Sequence, residues 1–224
     1  DTGNQLQPWD IAYYENLLRQ KKYSVDENEL REHFPLTHVI PTMFSIFENL
    51  LGISFTKAKG MPTWHEDVFR YEVKDTKSKE VLGYMFLDLY PRSGKYGHAC
   101  ANQTSEPRKD PQTNLQKPPT VTLICNFAKP SKGTLSLLSR YDVETIFHEF
   151  GHAIHFLLSR AEYVSQSAFK TKMDFVEAPS QLLEHWCWNP RILEKLTKHY
   201  KTGKPLSKAK ITALASSENH MEGY

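Results

Sequence analysis

The sequence predicts a mainly helical α+β fold with a small β-sheet at its middle, and three observations carry that expectation. Apolar residues recur at helical spacing up to Leu51 and again beyond Tyr141. Between them, residues 68–89 switch to the two-residue period and the β-branched, aromatic content of a hairpin. The order of helices, sheet, then helices fits an α+β domain rather than an alternating βαβ one.

Taken in order, residues 8–20 carry apolar positions at helical spacing, and so do 27–34. After Pro35, the 37–51 stretch places Ile40, Met43, Phe44, Ile46, Phe47 and Leu50 or Leu51 on one side, with Pro35 and Pro41 punctuating or bending the region. Segments 68–73 and 80–89 read as strands around the polar turn 74–79. Residues 91–119, rich in Gly, Pro, Asn and Lys, read as loop, and 119–126 as a further strand. A helix is expected from an N-cap at Asp142 to about Ser159, then a polar connection over 162–172. A second helix follows over 174–188, with Pro179 near its start and Pro190 beyond its end. Amphipathic helices near 190–199 and 206–217 complete the chain, and there is no internal repeat or low-complexity segment.

Composition narrows the function classes. Of the 224 residues, 39% are hydrophobic and 24% charged, ordinary for a globular protein and enough to bury a core. A net charge of +2 argues against nucleic acid or an anionic membrane as an obligatory partner, and no apolar run is long enough to span a bilayer. The polar start lacks the basic and apolar regions of a signal peptide and lacks Met, so a piece of a longer chain is expected. Cys100, Cys125 and Cys187 are few, odd in number and without a CxxC pair, which predicts unbridged thiols in a reducing compartment and no Cys-rich structural zinc site.

The chemistry is concentrated at 148–152, His-Glu-Phe-Gly-His. Histidines four apart lie on one face of a helix, one turn apart, so both imidazoles can bind one ion, and imidazole nitrogen suits Zn²⁺. Glu149 projects beside that ion and can take a proton from a zinc-activated water, then return it to a leaving amine. Phe147 and Phe150 make the flanks apolar, and Gly151 costs a helix about 1 kcal/mol relative to Ala, which points to a need for space there. A catalytic zinc needs a third protein ligand and an open position. The best candidate is Glu177, 25 residues after His152 in the sequence and expected in the first turn of the second helix, the bland alternative being an exposed or capping carboxylate. His155 is the rival third ligand; it shares the face of His148 and His152 but sits two turns from His148, about 10 Å along the axis, so it reads as lining or supporting the site. Glu184, seven after Glu177, and Glu144, one turn before His148, could each hydrogen-bond a ligand or be solvated charges.

These motifs carry a resemblance. The 148–155 stretch followed by the 174–186 stretch, and upstream Pro8-Trp9-Asp10, Tyr13-Tyr14, the 64–68 stretch, Leu87 to Arg92, Gly94 to Ala99, Asn126-Phe127, Lys129-Pro130 and His199-Tyr200, resemble the M3 family of zinc oligopeptidases, which includes thimet oligopeptidase and neurolysin. The similarity is collinear over essentially the whole chain. The resemblance implies a helical zincin-type metallopeptidase domain with a deep channel that admits short peptides and excludes folded proteins, one Zn²⁺ per chain held by His148, His152 and Glu177, and Glu149 as base. It implies cleavage of oligopeptides by a protein monomeric in its full-length form, in the cytosol or in mitochondria. Residues 1–224 then form part of the catalytic domain: 1–52 helical, 53–130 small sheet and loops, 139–188 the zinc helices, 189–224 C-terminal helices cut short. Peptidases of this broad class take substrate as an added strand on a sheet edge, for which 98–101 is the candidate.

Three departures are expected to matter. Ser167-Ala168-Phe169 replaces the family's Ser-Gly-Thr. The tail 220–224 superficially resembles, but is too close to Glu177 to be, the family's Gly-rich segment whose His and Tyr side chains bind substrate and steady the oxyanion. The family's long N-terminal helical region is absent. A truncated, non-catalytic peptide- or zinc-binding isoform is therefore the alternative reading.

Overall fold

A computed structural model describes residues 7–23, 26–58, 62–109, 112–113, 116–161 and 163–218. The opening stretch and the tail 220–224 lie outside the described residues. The fold is α+β, as the sequence predicts.

A 3₁₀ turn, Pro8–Asp10, leads into α1 (Ile11–Tyr23), and α2 (Glu27–Arg31) follows, capped by the Asp26 carboxylate accepting from the Asn28 and Glu29 N–H groups. The apolar spacing in α1 does not feed the core: Tyr13, Tyr14, Leu17 and Leu18 stay exposed. Helix α3 (Leu36–Leu51) runs on through Pro41 and buries Val39, Ile40, Met43, Phe44, Ile46 and Phe47. Leu50 and Leu51 are exposed instead, at the mouth of an apolar cleft that they line with Phe47 and Ile154.

Strand β1 (Ile53–Lys57), absent from the sequence reading, pairs with β2 (Val68–Asp75), which forms the expected hairpin with β3 (Val81–Asp88). The 91–119 stretch is not all loop. It contains β4 (Cys100–Ser105) and the short pair β5 (Arg108–Lys109) and β6 (Gln116–Lys117) before β7 (Thr120–Ile124). Strand order is β1-β2-β3-β7-β4, antiparallel except for β3 beside β7, so β4 is the outermost strand on that side among the described residues. Strand β4 is polar and largely solvated, so its sequence has no apolar alternation; its ladder with β7 holds it, Ala101 opposite Leu123.

Helix α4 (Arg140–Leu157) crosses β3, β7 and β4. It starts two residues before the expected cap. Ser139 is the N-cap, and Asp142 is the third helical residue, reaching back to the Ser139 N–H to complete a capping box. Gly83 lets α4 lie this close, since a Cβ there would stand 2.5 Å from Leu157 Cδ2. Phe44, Phe47, Phe55 and Phe150 stack between α3, β1 and α4, with ring centroids 4.3 Å apart for Phe44–Phe55 and 4.9 Å for Phe47–Phe150. The expected helix over 174–188 is two, α5 (Met173–Val176) and α6 (Ala178–Trp186), followed by α7 (Pro190–Leu196), N-capped by Asn189, and α8 (Lys208–Glu218). The break has a cause: Pro179 has no N–H to give the helix, and its ring opposes a continuous turn with Phe175. No described helix is long and apolar enough to cross a membrane.

The end of β3 is fixed by a polar node. Asp88, 3% exposed, receives Arg92 through two contacts of 2.6 and 2.7 Å, the Trp64 indole at 3.0 Å and the Lys95 ammonium at 2.9 Å. Burial alone pushes the Asp88 carboxyl up, but these partners outweigh it and hold it at about 2. Its folded value is thus depressed, so its contribution, on the order of 2 kcal/mol, is present above about pH 4 and is lost as pH falls through about 2. Asp88→Asn leaves Lys95 buried without its counter-charge and is expected to cost about 3–5 kcal/mol, and to flatten acid destabilisation between pH 4 and pH 2, in denaturant unfolding followed by circular dichroism.

Candidate active site

The buried side of α4 (Val143, Ile146, Phe147, Phe150, Ile154 and Leu157) fixes the helix on the sheet and turns His148 and His152 away from it. The two rings meet edge to face, centroids 4.9 Å apart, as residues one turn apart should. Glu177 comes to them from the break between α5 and α6. Its Oε2 lies 3.3 Å from His148 Nε2 and 3.1 Å from His152 Nε2. Among the described residues, these three form the group that could hold a metal, with ligand atoms all within 4.8 Å of one another.

Gly151 explains how the second helix gets so near. A Cβ there would stand 2.6 Å from Ser180 Cα and 3.2 Å from Pro179 O, so the backbone of α6 occupies the room a side chain would take. The space the sequence called for is used by the helix whose first residues follow Glu177.

Neighbours orient the three side chains. Glu184 Oε2 lies 2.8 Å from His148 Nδ1, which leaves Nε2 of that ring facing Glu177. Ser180 Oγ lies 2.8 Å from both the Glu177 carbonyl and its Oε2. Ser180 was not legible in advance; the only trace is a serine three residues after the candidate carboxylate at a helix start. Glu144 does not turn to the histidines: its Oε1 accepts from the Trp188 indole N–H at 3.2 Å. His155 stands apart from the group, its ring 6.3 Å from that of Phe175, where it lines an apolar cleft with Phe47, Ile154 and Leu183. Burial lowers the basicity of both His155 and His152, and for His152 the Glu177 carboxylate partly opposes this.

Glu149 is 8% exposed. Burial pushes its carboxyl above the usual range, while the His148 ring and a hydrogen bond from the Ala101 backbone on β4 pull it back. A raised carboxyl beside a cleft is suited to accepting a proton near neutral pH. The cleft, about 350 Å³, is lined by Glu149, His148, Glu144, Glu184 and Tyr141 on one side and His98 and Ala99 on the other. The three cysteines remain thiols: Cys125 and Cys187 are buried, Cys100 is half-buried, and burial pushes the Cys100 and Cys125 thiols up, away from reactivity. At the 167–169 departure, Phe169 packs 5.0 Å from Phe156 and 6.2 Å from His152, while the buried Ser167 Oγ meets no hydrogen-bond partner among the described residues.

Two imidazole nitrogens and one carboxylate oxygen, converging, suit Zn²⁺, and the open cleft beside them leaves room for a fourth group. Comparison with known proteins shows the family to which this fold and this group of side chains belong. The model of peptidase family M3 matches residues 1–224, and the chain belongs to that family. It is 37% identical to oligopeptidase A of Escherichia coli K12 over 97% of this chain and 32% of that protein. It is 40% identical to the thimet-like oligopeptidase of Dictyostelium discoideum over 86% and 29%, and 37% identical to saccharolysin of Saccharomyces cerevisiae over 96% and 31%. The chain thus spans about a third of the length of these relatives.

Proposed function

We propose that the protein is a zinc metalloendopeptidase of short oligopeptides with a zincin-type centre, in which His148, His152 and Glu177 hold one Zn²⁺ and Glu149 is the general base. The observation that carries this is the meeting of the two Nε2 atoms with Glu177 Oε2 next to a buried glutamate. Bound there, Zn²⁺ supplies Lewis acidity that polarises a peptide carbonyl and makes water more acidic.

The chain's own residues do the rest. Glu149 accepts the proton of the attacking water and passes it to the departing amide nitrogen. Ala101 steadies the Glu149 carboxylate through the backbone. Glu184 fixes the ring orientation of His148, and Ser180 that of Glu177. The outer edge of β4 can pair with an extended peptide, which would then run past the cleft. Within the domain, 139–188 serves as the zinc-holding part, 53–130 as sheet and loops, and 1–52 and 189–224 as helical support. The protein is read as a monomer of the cytoplasm or of mitochondria, and one relative is named the mitochondrial intermediate peptidase of Arabidopsis thaliana.

The test is hydrolysis of a quenched fluorescent oligopeptide by the natural full-length chain. Cleavage should vanish with a chelator and return with added Zn²⁺; cleavage unaffected by chelation would contradict the proposal. Glu184→Gln is expected to weaken zinc binding about 10–100-fold while leaving the fold intact, read by competition with a metal-sensitive dye.

A further inference from the structure

The segment between β3 and β4 is held by one buried cation. Lys95 is 3% exposed at its side chain, yet its ammonium meets the carbonyl oxygens of Asp88 at 2.9 Å and Tyr90 at 2.7 Å and that of Cys125, with Asp88 Oδ1 at 2.9 Å as counter-charge. An ammonium has three protons on a point charge, and three carbonyls from three places in the chain take them. These places are the last residue of β3, the start of the following loop, and the residue just after β7. Arg92 closes the other side of the same carboxylate, and Asn126 Nδ2 donates to the Tyr96 carbonyl at 3.1 Å. The loop that Lys95 anchors then supplies His98 and Ala99, the wall of the cleft opposite His148 and Glu149, and continues into β4, whose Ala101 bonds Glu149.

We propose that Lys95 is a positioning residue of the peptidase: its buried ammonium sets the 89–99 loop and the start of β4 against Glu149, so that the edge strand holds the base while His98 and Ala99 face it across the cleft. This rests on the proposed peptidase activity, and Lys95 acts through Ala101 and Glu149 rather than on substrate. Asp88 belongs to the same device as the counter-charge that makes the buried cation tolerable. A basic residue in the 94–99 motif would otherwise be expected in solvent; its burial at the junction of β3, β7 and the loop is the feature the mechanism leaves unexplained.

The test uses Lys95→Met and Lys95→Ala in the natural full-length, zinc-loaded chain. Displacement of a catalytic group by about 1 Å can cost on the order of 100-fold, so Lys95→Met should lower kcat at least about tenfold with zinc content unchanged. Propylammonium, which restores the missing carbons and the charge, should raise the kcat of Lys95→Ala, whereas propanol should not. Cys100, half-buried at the start of β4, reports the strand independently of activity when its labelling is read by mass spectrometry of the peptide that contains it, and the buried Cys125 and Cys187 serve as internal references. Its labelling by a maleimide should quicken at least about tenfold in both variants, as a strand released from its anchor exposes it. Wild-type kcat in Lys95→Met with unchanged Cys100 labelling overturns the proposal. If the wild-type chain cleaves no peptide, the peptidase reading fails, and faster Cys100 labelling would still support the anchor while an unchanged rate would sink it.

Discussion

Glu149→Gln is expected to lower kcat/KM by about 10²–10⁴-fold while the chain keeps its zinc. The amide matches the carboxylate in shape and can still accept from the Ala101 backbone, so packing and the neighbouring histidines are little disturbed. What it cannot do is take a proton. The pH profile adds a second signature. Glu149 must be ionised to act, and burial holds its carboxyl above the ordinary range, so activity should rise as pH climbs through that raised value. The acid limb should disappear from the residual activity of the variant. Steady-state rates from pH 4 to pH 8 measure both; a variant as active as wild type at neutral pH would remove Glu149 from the chemistry.

Gly151→Ala should damage the site from outside it. By helix propensity alone, alanine would stabilise α4 by about 1 kcal/mol. Packing opposes this, because the new methyl group would stand 2.6 Å from Ser180 Cα, and backbone cannot swing aside as a side chain can. Overpacking of this kind costs about 1–3 kcal/mol, so the net effect should be a loss of about 1 kcal/mol in urea unfolding of the zinc-free protein. The larger loss is expected in zinc affinity, at least about tenfold, since α6 must move away and Glu177 moves with it. Gly97→Ala, where a Cβ meets nothing within 4 Å, is the control and should change neither quantity. Equal affinities in Gly151→Ala and wild type would mean that Glu177 does not depend on the close approach of the two helices.

What could be read in advance followed from periodicity. Helix α3 and the core side of α4 are regular enough that spacing alone locates them, and the β2–β3 hairpin declares itself by its polar turn. The 148–152 motif places two imidazoles together through helix geometry, with no tertiary information needed. Where tertiary context decided, the sequence was less informative. Strand β4 has no apolar pattern to display because one edge and most of its side chains are solvated. The helix break at Glu177 depends on Pro179 two positions into α6, a residue equally compatible with an ordinary helix start. The cap at Ser139 rather than Asp142 turned on a reciprocal pair, either member of which is a good cap alone. Helix α1 shows the converse: its apolar spacing is real, yet Tyr13 and Leu18 face solvent among the described residues. Lys95 was visible only as a letter in a motif, since nothing in its neighbours announces that three carbonyls converge on it.

His148, His152 and Glu177 are expected to hold one zinc ion. The most direct measurement is metal content by elemental analysis of the purified, folded natural chain, alongside the variants His148→Ala and Glu177→Gln. The expected result is one zinc per chain in the wild type, none retained through dialysis in His148→Ala, and a strongly reduced content in Glu177→Gln. A folded wild-type chain without zinc, or one zinc per chain retained in all three proteins, would contradict it.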